Sequence, residues 1–196
     1  MNNVTENGLY RKEFEHDACG IGFVASLKGI KSHRIVQDSI KMLIRMDHRG
    51  ACGCDPNSGD GAGVLVQLPH EFFLEETGSL GFTLPSLGNY GVGMVFFPKD
   101  ETLIKECKEV IERKSKKLGL RILGYRIVPV DNSEIAGAES GNAEPSIQQL
   151  FLEKPADCST DIDFERKLYV FRQYVSKLLN ETIPGLDNKF YFASLS

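Results

Sequence analysis

The sequence predicts a mixed α+β fold for this chain of 196 residues. Three segments carry apolar residues at helical spacing, and several shorter apolar runs have the composition of strands. Hydrophobic residues make up 41% of the chain, which is enough to form a buried core. The length favours a single domain over two.

Four segments are predicted to be helical. Ser32 is placed as an N-cap before a helix over residues 33–46, in which Ile35, Val36, Ile40, Leu43 and Ile44 recur at helical spacing. A short helix is expected over residues 70–76 and a longer one over 101–118. The last helix is predicted from an apolar stripe that Pro184-Gly185 ends; its members are Phe164, Leu168, Phe171, Val175, Leu178 and Leu179.

The remaining apolar runs are predicted to be strands or to border loops. Strands are expected at 21–27, 64–68, 90–97 and 120–130, and the apolar run 190–196 is also strand-like. Residues 147–152 fit either a strand or the end of a helix. Glycine-rich loops are expected at 48–63 and 78–89, and residues 131–146 are expected to form a further loop.

Charge and composition exclude several classes of function. The chain has 23 basic and 27 acidic side chains, a net charge of −4, and so lacks the basic footprint of a nucleic-acid-binding protein. No apolar run is long enough to span a membrane, and no apolar region typical of a signal peptide stands near the start. Five cysteines, an odd number at uneven spacing, indicate reduced thiols and a cytoplasmic location.

The two ends of the sequence differ in character. Residues 1–18 are a polar leader, after which the pattern changes abruptly at Cys19. The chain stops inside an apolar strand, and a terminal edge strand needs a partner. We therefore expect the sequence to be part of a longer polypeptide.

Cys19 is the first candidate for chemistry. If cleavage after Ala18 made it the first residue, its α-amine, with an ordinary pKa of about 7.7–8.0, would act as a base for its own thiol. Gly20 and Gly22 allow close approach of the backbone and leave space beside that thiol. The alternative is a small buried thiol in the core.

The second candidate is the tripeptide His48-Arg49-Gly50. A guanidinium where a helix meets a loop is suited to bind a carboxylate through two parallel hydrogen bonds. The alternatives are an exposed arginine or a structural ion pair for Arg49, and a hydrogen-bonded structural role for His48.

Two other patterns are weaker. His48, Cys52 and Cys54 allow a zinc site, but the spacing is poor and Cys107 and Cys158 do not form the second pair that such sites use. The glycines of 59–63 resemble a phosphate loop, yet they lack the dinucleotide fingerprint and precede a strand rather than a helix. A tight turn that shapes a pocket is the favoured interpretation.

Several segments together resemble a known family. They are EHDACGIGFVASLKG at 15–29, MDHRGACGCDPNSGDGAGVLVQLPHEF at 46–72, VPVDNS at 128–133, EPSIQQLF at 144–151 and FYFASLS at 190–196. They are similar to the amino-terminal glutaminase domain of the glutamate synthase large subunit, a class II glutamine amidotransferase. HRG alone is shared more widely in that class, whereas the HRGACGC and GDGAG block is specific to glutamate synthases.

The resemblance implies a fold and a mechanism. The fold is the four-layer α-β-β-α sandwich of amino-terminal nucleophile hydrolases, here incomplete at the C-terminus. Residues 1–18 would be a propeptide, and 19–196 the first part of the amidotransferase domain. Cys19 would be the nucleophile that hydrolyses L-glutamine to glutamate and ammonia through a thioester. Arg49 would bind the substrate α-carboxylate, with the backbone at Gly50 lining the site.

The resemblance also assigns functions to the rest of a longer enzyme. Ammonia would pass to a domain that carries FMN and an iron–sulfur cluster, where it meets 2-oxoglutarate; no cofactor or metal is expected within this sequence. Partners would be the remainder of the large chain and, as an open alternative, a small subunit. The family's oxyanion-hole residues lie beyond residue 196, so little activity is expected from this sequence alone.

Two other interpretations stay open. One is a non-catalytic module that binds a ligand or zinc, with a purely structural Cys19. The other is a gene fragment without a stable fold, because missing strands would leave sheet edges and apolar surface uncovered.

Overall fold

The computed structural model describes residues 20–50, 61–133, 144–186 and 189–196. The chain divides into two compact units, Met1–Val66 and Gln67–Ser196. The predicted leader 1–18, Cys19, Cys52 and Cys54 lie outside the described residues, so the expected boundary at residue 19 stays a prediction.

The first unit contains helix α1, His33–Arg45, followed by a 3-10 turn at Asp47–Arg49. Ser32 caps α1, and its side-chain oxygen accepts a hydrogen bond from the Arg34 amide at 3.2 Å. This arrangement satisfies one of the amide groups that a helix start leaves without an internal partner. The predicted helix and its cap are both confirmed.

The second unit is built on one antiparallel sheet. Its helices and strands are α2 (His70–Ser79), β1 (Tyr90–Phe97), α3 (Glu101–Lys117), β2 (Arg121–Ile127), β3 (Ser146–Glu153), α4 (Asp161–Thr182) and β4 (Tyr191–Leu195). The strand order is β2-β3-β1-β4, so the sheet centre is formed by β1 and β3, which pair antiparallel from Tyr90–Glu153 to Phe97–Ser146.

Alternation along the central strands sends side chains to two separate apolar clusters. Val95 and Phe97 of β1, with Leu150 and Leu152 of β3, join the buried side chains of α3 and α4. On the opposite face, Tyr90, Val92 and Phe151 pack with residues at and after α2, namely Phe73, Phe82 and Leu84. The core of this unit therefore lies mainly between the sheet and the helix pair α3 and α4.

Helix α4 shows why the last predicted helix forms where it does. A capping box starts it, in which the Thr160 oxygen accepts from the Asp163 amide and the Asp163 carboxylate accepts from the Thr160 amide. Its buried stripe matches the predicted one at Phe164, Leu168, Phe171, Val175 and Leu179. The helix ends at Thr182, before Pro184-Gly185, and Gly185 adopts a positive φ of 79°.

Two predicted strands are wrong in this structure. Residues 21–27 and 64–68 have strand composition but no ladder with any described residue, and Ile21, Phe23 and Leu65 are almost fully exposed. Apolar alternation supplies only one condition for a strand; the other is a neighbouring edge that accepts its hydrogen bonds.

Other boundaries shift slightly. β2 ends at Ile127 rather than Val130, α2 extends to Ser79, and the ambiguous segment 147–152 is strand β3. The α+β class is confirmed. The described residues contain one sheet with α3 and α4 on one face, so the four-layer arrangement is not established by them.

None of the described helices is both long enough and apolar enough to cross a membrane.

Candidate active site

The turn that carries Arg49 is fixed by the end of α1. The Met46 amide donates to the carbonyls of Met42 and Leu43 at 3.1 and 3.0 Å, which completes the last helical turn. The Met46 carbonyl in turn accepts from the Arg49 amide at 2.8 Å, and the Asp47 carbonyl accepts from the Gly50 amide at 3.0 Å. Arg49 is thereby held at the point where the helix passes into the loop, as the sequence predicts.

Gly50 leaves this turn in an ordinary extended conformation. Its φ and ψ are −88° and 153°, which any residue adopts. Its amide donates to the Asp47 carbonyl at 3.0 Å. A Cβ at this position would lie 3.4 Å from the Asp47 carbonyl oxygen, an ordinary contact distance.

The glycine that follows Cys19 lies against the same turn. An alanine at position 20 would place its Cβ 2.8 Å from Sδ of Met46 and 3.5 Å from Cβ of Arg49. Gly20 therefore lies in close contact with Met46, and the space predicted beside the Cys19 thiol stays a prediction. Gly20, the residue after Cys19, therefore lies against the turn that leads through Arg49 to Gly50.

Gly22 makes an equivalent contact one turn earlier in α1. A Cβ at this position would collide with Sδ of Met42 and lie 2.9 Å from its Cε. Neither Met42 nor Met46 was predicted to belong to the site. Their spacing of four residues, which places both on one face of α1, was the available signal.

The two cysteines in the second unit are unsuited to nucleophilic chemistry. Cys107 is fully buried, and burial together with the nearby Glu106 carboxylate raises the pKa of its thiol to about 11. Burial also raises the pKa of the Cys158 thiol. A thiol reacts as its thiolate, so both remain inert at neutral pH.

Metal binding finds no support in the part of the chain that the structure describes. Within it, no three His, Cys, Asp or Glu side chains converge to hold an ion. Cys107 and Cys158 are free thiols in the same apolar core and do not fit as ligands of an iron–sulfur cluster. The zinc hypothesis involves Cys52 and Cys54, which lie outside the described residues.

The predicted pocket-shaping turn at 59–63 is described only from residue 61. Gly61 and Gly63 are exposed, and a Cβ on either would meet no other described atom within 4 Å. Close packing therefore gives no reason for glycine at these two positions.

Two polar clusters lie in the second unit. Arg126 is buried and donates to Glu76 from Nε at 2.7 Å and to Gln149 from Nη1 at 3.1 Å. A cavity of about 390 Å³ is lined in part by Lys99, Glu144 and Gln148, with an ion pair of 2.8 Å between Lys99 and Glu144. The Arg126 cluster satisfies a buried charge and has a structural role.

Comparison with known proteins identifies the family of this chain. A model of the family of class II glutamine amidotransferases matches residues 19–196, so the match begins at Cys19. The chain is 46% identical over 189 residues to the glutamate synthase [NADPH] large chain of Bacillus subtilis, covering 96% of this chain and 12% of that protein.

Two further relatives come from eukaryotes. Glutamate synthase [NADH] of Schizosaccharomyces pombe is 41% identical over 192 residues, 95% of this chain and 9% of the relative. Ferredoxin-dependent glutamate synthase 1 of Arabidopsis thaliana is 41% identical over 182 residues, 93% of this chain and 11% of the relative. The chain thus spans only about a tenth of the length of the relatives it matches.

Proposed function

Because this chain belongs to the class II glutamine amidotransferases, we propose that it forms the glutamine-hydrolysing part of a glutamate synthase. The observation that carries the proposal is the packing of Gly20, the residue after Cys19, against Met46 and Arg49. Because Gly20 is covalently bonded to Cys19, its contact with the Arg49 turn supports a site that combines the Cys19 thiol with the Arg49 guanidinium.

Cys19 is the nucleophile of the proposed reaction. Removal of residues 1–18 converts its backbone amide nitrogen into an α-amine that takes the thiol proton. The thiolate attacks the side-chain carboxamide carbon of glutamine, the carbon–nitrogen bond breaks, and ammonia leaves with a proton from the α-ammonium group. Water then attacks the γ-glutamyl thioester, which releases glutamate and regenerates the thiol.

Arg49 holds the substrate in this proposal. Its planar guanidinium pairs with the α-carboxylate of glutamine through two parallel hydrogen bonds. The Gly50 carbonyl lines the same side of the site, and a side chain at position 50 would take space from the substrate. The 3-10 turn supplies the rigidity, because backbone hydrogen bonds fix both Arg49 and Gly50.

The fold and the wider enzyme are also part of the proposal. The sheet with α3 and α4 represents one half of the four-layer sandwich of amino-terminal nucleophile hydrolases. In the full enzyme the ammonia reaches 2-oxoglutarate in a separate domain with FMN and an iron–sulfur cluster. A reducing cytoplasm keeps the Cys19 thiol available.

The test compares matched variants of the full natural enzyme. Intact mass is expected to show a mature chain that begins at Cys19, and a diazo-ketone analogue of glutamine is expected to label that residue. Cys19→Ser abolishes glutamine hydrolysis, whereas Cys107→Ser retains it. A mature chain that still carries residues 1–18, or full activity in Cys19→Ser, contradicts the proposal and favours the non-catalytic module.

Arg49 is tested against its neighbour Arg45, which is also exposed and ends α1. Arg49→Met is expected to lower kcat/KM for glutamine by about 10- to 100-fold, mainly through KM, since a charge-assisted pair contributes roughly 1.5–3 kcal/mol. Arg45→Met is expected to change kcat/KM by less than threefold. Equal effects of the two substitutions would remove the specific role of Arg49.

A further inference from the structure

Two glycine–methionine contacts link the segment after Cys19 to helix α1. Gly20 lies against Met46, and Gly22 lies against Met42. We call these four residues the glycine–methionine clasp. The two chain segments run in opposite directions, because the later glycine contacts the earlier methionine.

The spacing of the clasp fits the geometry of both segments. Four residues along an α-helix rise about 6.0 Å, and two residues of extended chain span about 6.6–7.2 Å. Two thioether side chains, one helical turn apart, can therefore contact two alternate residues of the passing chain. A shift of that chain by one residue would bring Met46 and Met42 opposite positions 19 and 21, or opposite positions 21 and 23. The residues at these positions have side chains, which would occupy the space that the thioethers fill.

Glycine leaves room for this close packing at both positions. A Cβ at position 20 would also lie 3.4 Å from Cγ of Met46, and one at position 22 would lie 3.3 Å from Cγ of Met42. Neither glycine has a positive φ, so the reason is space rather than backbone conformation.

Met46 has a second link, to Arg49. Its carbonyl accepts the Arg49 amide at 2.8 Å, while its side chain covers Gly20. One residue thus contacts both the turn that contains Arg49 and the chain segment that follows Cys19. Misplacement of reacting groups by about 1 Å can cost on the order of 100-fold in rate.

We propose that Met46 is a positioning residue that sets the placement of Cys19 relative to glutamine held by Arg49, with Met42 fixing the register through Gly22. The inference rests on the proposed function, because it needs Cys19 as nucleophile and Arg49 as the carboxylate-binding residue. It assigns to α1 a role in aligning the reaction as well as in carrying the turn.

The test measures alignment separately from thiol reactivity, in the full natural enzyme. The diazo-ketone analogue of glutamine reacts with Cys19 only when it is bound and aligned, whereas iodoacetamide needs only an accessible thiolate. Met46→Ala is expected to slow inactivation by the glutamine analogue at least tenfold and to change the iodoacetamide rate less than twofold. The value of kcat for glutamine is expected to fall by a similar factor, with KM changed less than threefold.

Control variants identify the cause. Met46→Leu, which keeps an apolar side chain of similar volume, is expected to recover the analogue rate to within threefold of wild type. Gly20→Ala is expected to slow the analogue, and Gly20→Ala/Met46→Ala to recover part of that loss because the crowding thioether is gone. Met94→Ala, in strand β1, is expected to leave the reaction rates with both reagents unchanged. Met46→Val, which shortens the side chain, provides the same comparison if the alanine variant does not fold.

The outcomes distinguish the two proposals. If wild-type Cys19 is not labelled by the glutamine analogue, the proposed function is wrong and the positioning role falls with it. If wild type is labelled and Met46→Ala reacts with the glutamine analogue at the wild-type rate, only the positioning role is overturned. The same holds if Met46→Ala reacts more slowly with the analogue and with iodoacetamide by the same factor.

Discussion

The surroundings of each cysteine determine what its thiol can do. Cys107 and Cys158 are buried in the core of the second unit, and burial raises the pKa of both thiols. Such thiols pack as small apolar groups. The sequence pattern that sets Cys19 apart, a polar leader before it and glycines after it, therefore carries information that a cysteine count does not.

The raised pKa of Cys107 predicts a loss of stability at alkaline pH. Its folded pKa is about 11, whereas an unfolded thiol titrates near 8.5–9. Between these values the folded state holds more protons than the unfolded state, so the free energy of unfolding falls as pH rises. The full contribution is on the order of 2–3 kcal/mol, present below about pH 8.5 and lost by about pH 11.

Urea unfolding at pH 8.0, 9.0, 10.0 and 10.5 checks this expectation. Cys107→Val, an apolar replacement of similar size, is expected to make the alkaline decline shallower than in wild type. Cys158→Val is the comparison for a thiol elsewhere in the same core. Parallel pH curves for wild type and Cys107→Val would show that the thiol does not titrate differently in the two states.

At the level of single elements, local signals predicted most of the second unit. The apolar run Tyr90–Phe97 and the stripe of α4 matched the structure, because both pack against apolar neighbours present in the chain. The segment 21–27 has an equally strong pattern and forms no strand. Pairing is a property of two segments, and one sequence pattern specifies only one of them.

The candidate site also combines a residue that the sequence predicted with one that it did not. Arg49 was predicted because its chemistry is visible in the side chain and its turn follows from the end of a helix. Met46 was not predicted, since an apolar residue at a helix end is ordinary by composition. Its role depends on a contact with Gly20, twenty-six residues earlier, which only the three-dimensional structure reveals.

Strand β2 supplies a prediction about packing at a strand irregularity. Its register with β3 shifts between Ile122 and Gly124, and a Cβ on Gly124 would lie 2.5 Å from Cδ1 and Cε1 of Phe82. Gly124→Ala is expected to destabilise the protein by about 1–3 kcal/mol, because the ring must move out of the apolar cluster on that face. Urea unfolding measures the change.

Two companion variants isolate this contact. In a protein that carries Phe82→Leu, Gly124→Ala is expected to destabilise less than it does in wild type. Gly78→Ala is the matched glycine substitution, since Gly78 lies exposed in α2 with no described atom near its Cβ position. It is expected to stabilise the protein by about 0.5–1 kcal/mol. Similar destabilisation at positions 78 and 124 would argue against crowding by Phe82.

At the scale of the whole molecule, the buried apolar surface of the described residues is concentrated in the second unit. Both apolar clusters belong to residues from Leu68 onward, whereas α1 contains no buried residue. The segment around residues 21–27 exposes several apolar side chains, among them Ile21, Phe23 and Leu27. Apolar burial drives folding in proportion to the area removed from water, so stability is expected to reside after residue 67.

A pair of phenylalanine substitutions tests this distribution in the 196-residue chain. Phe171 is fully buried in α4 and makes an edge contact with Phe192, with ring centroids 6.3 Å apart, whereas Phe23 is 90% exposed. Phe171→Ala is expected to lower the free energy of unfolding by about 3–5 kcal/mol through lost burial and the cavity it leaves. Phe23→Ala is expected to change it by less than about 0.5 kcal/mol, as for other exposed positions. A loss of more than about 1 kcal/mol for Phe23→Ala would mean that this segment buries its aromatic ring in solution, and the stabilising core would then have to include the first unit.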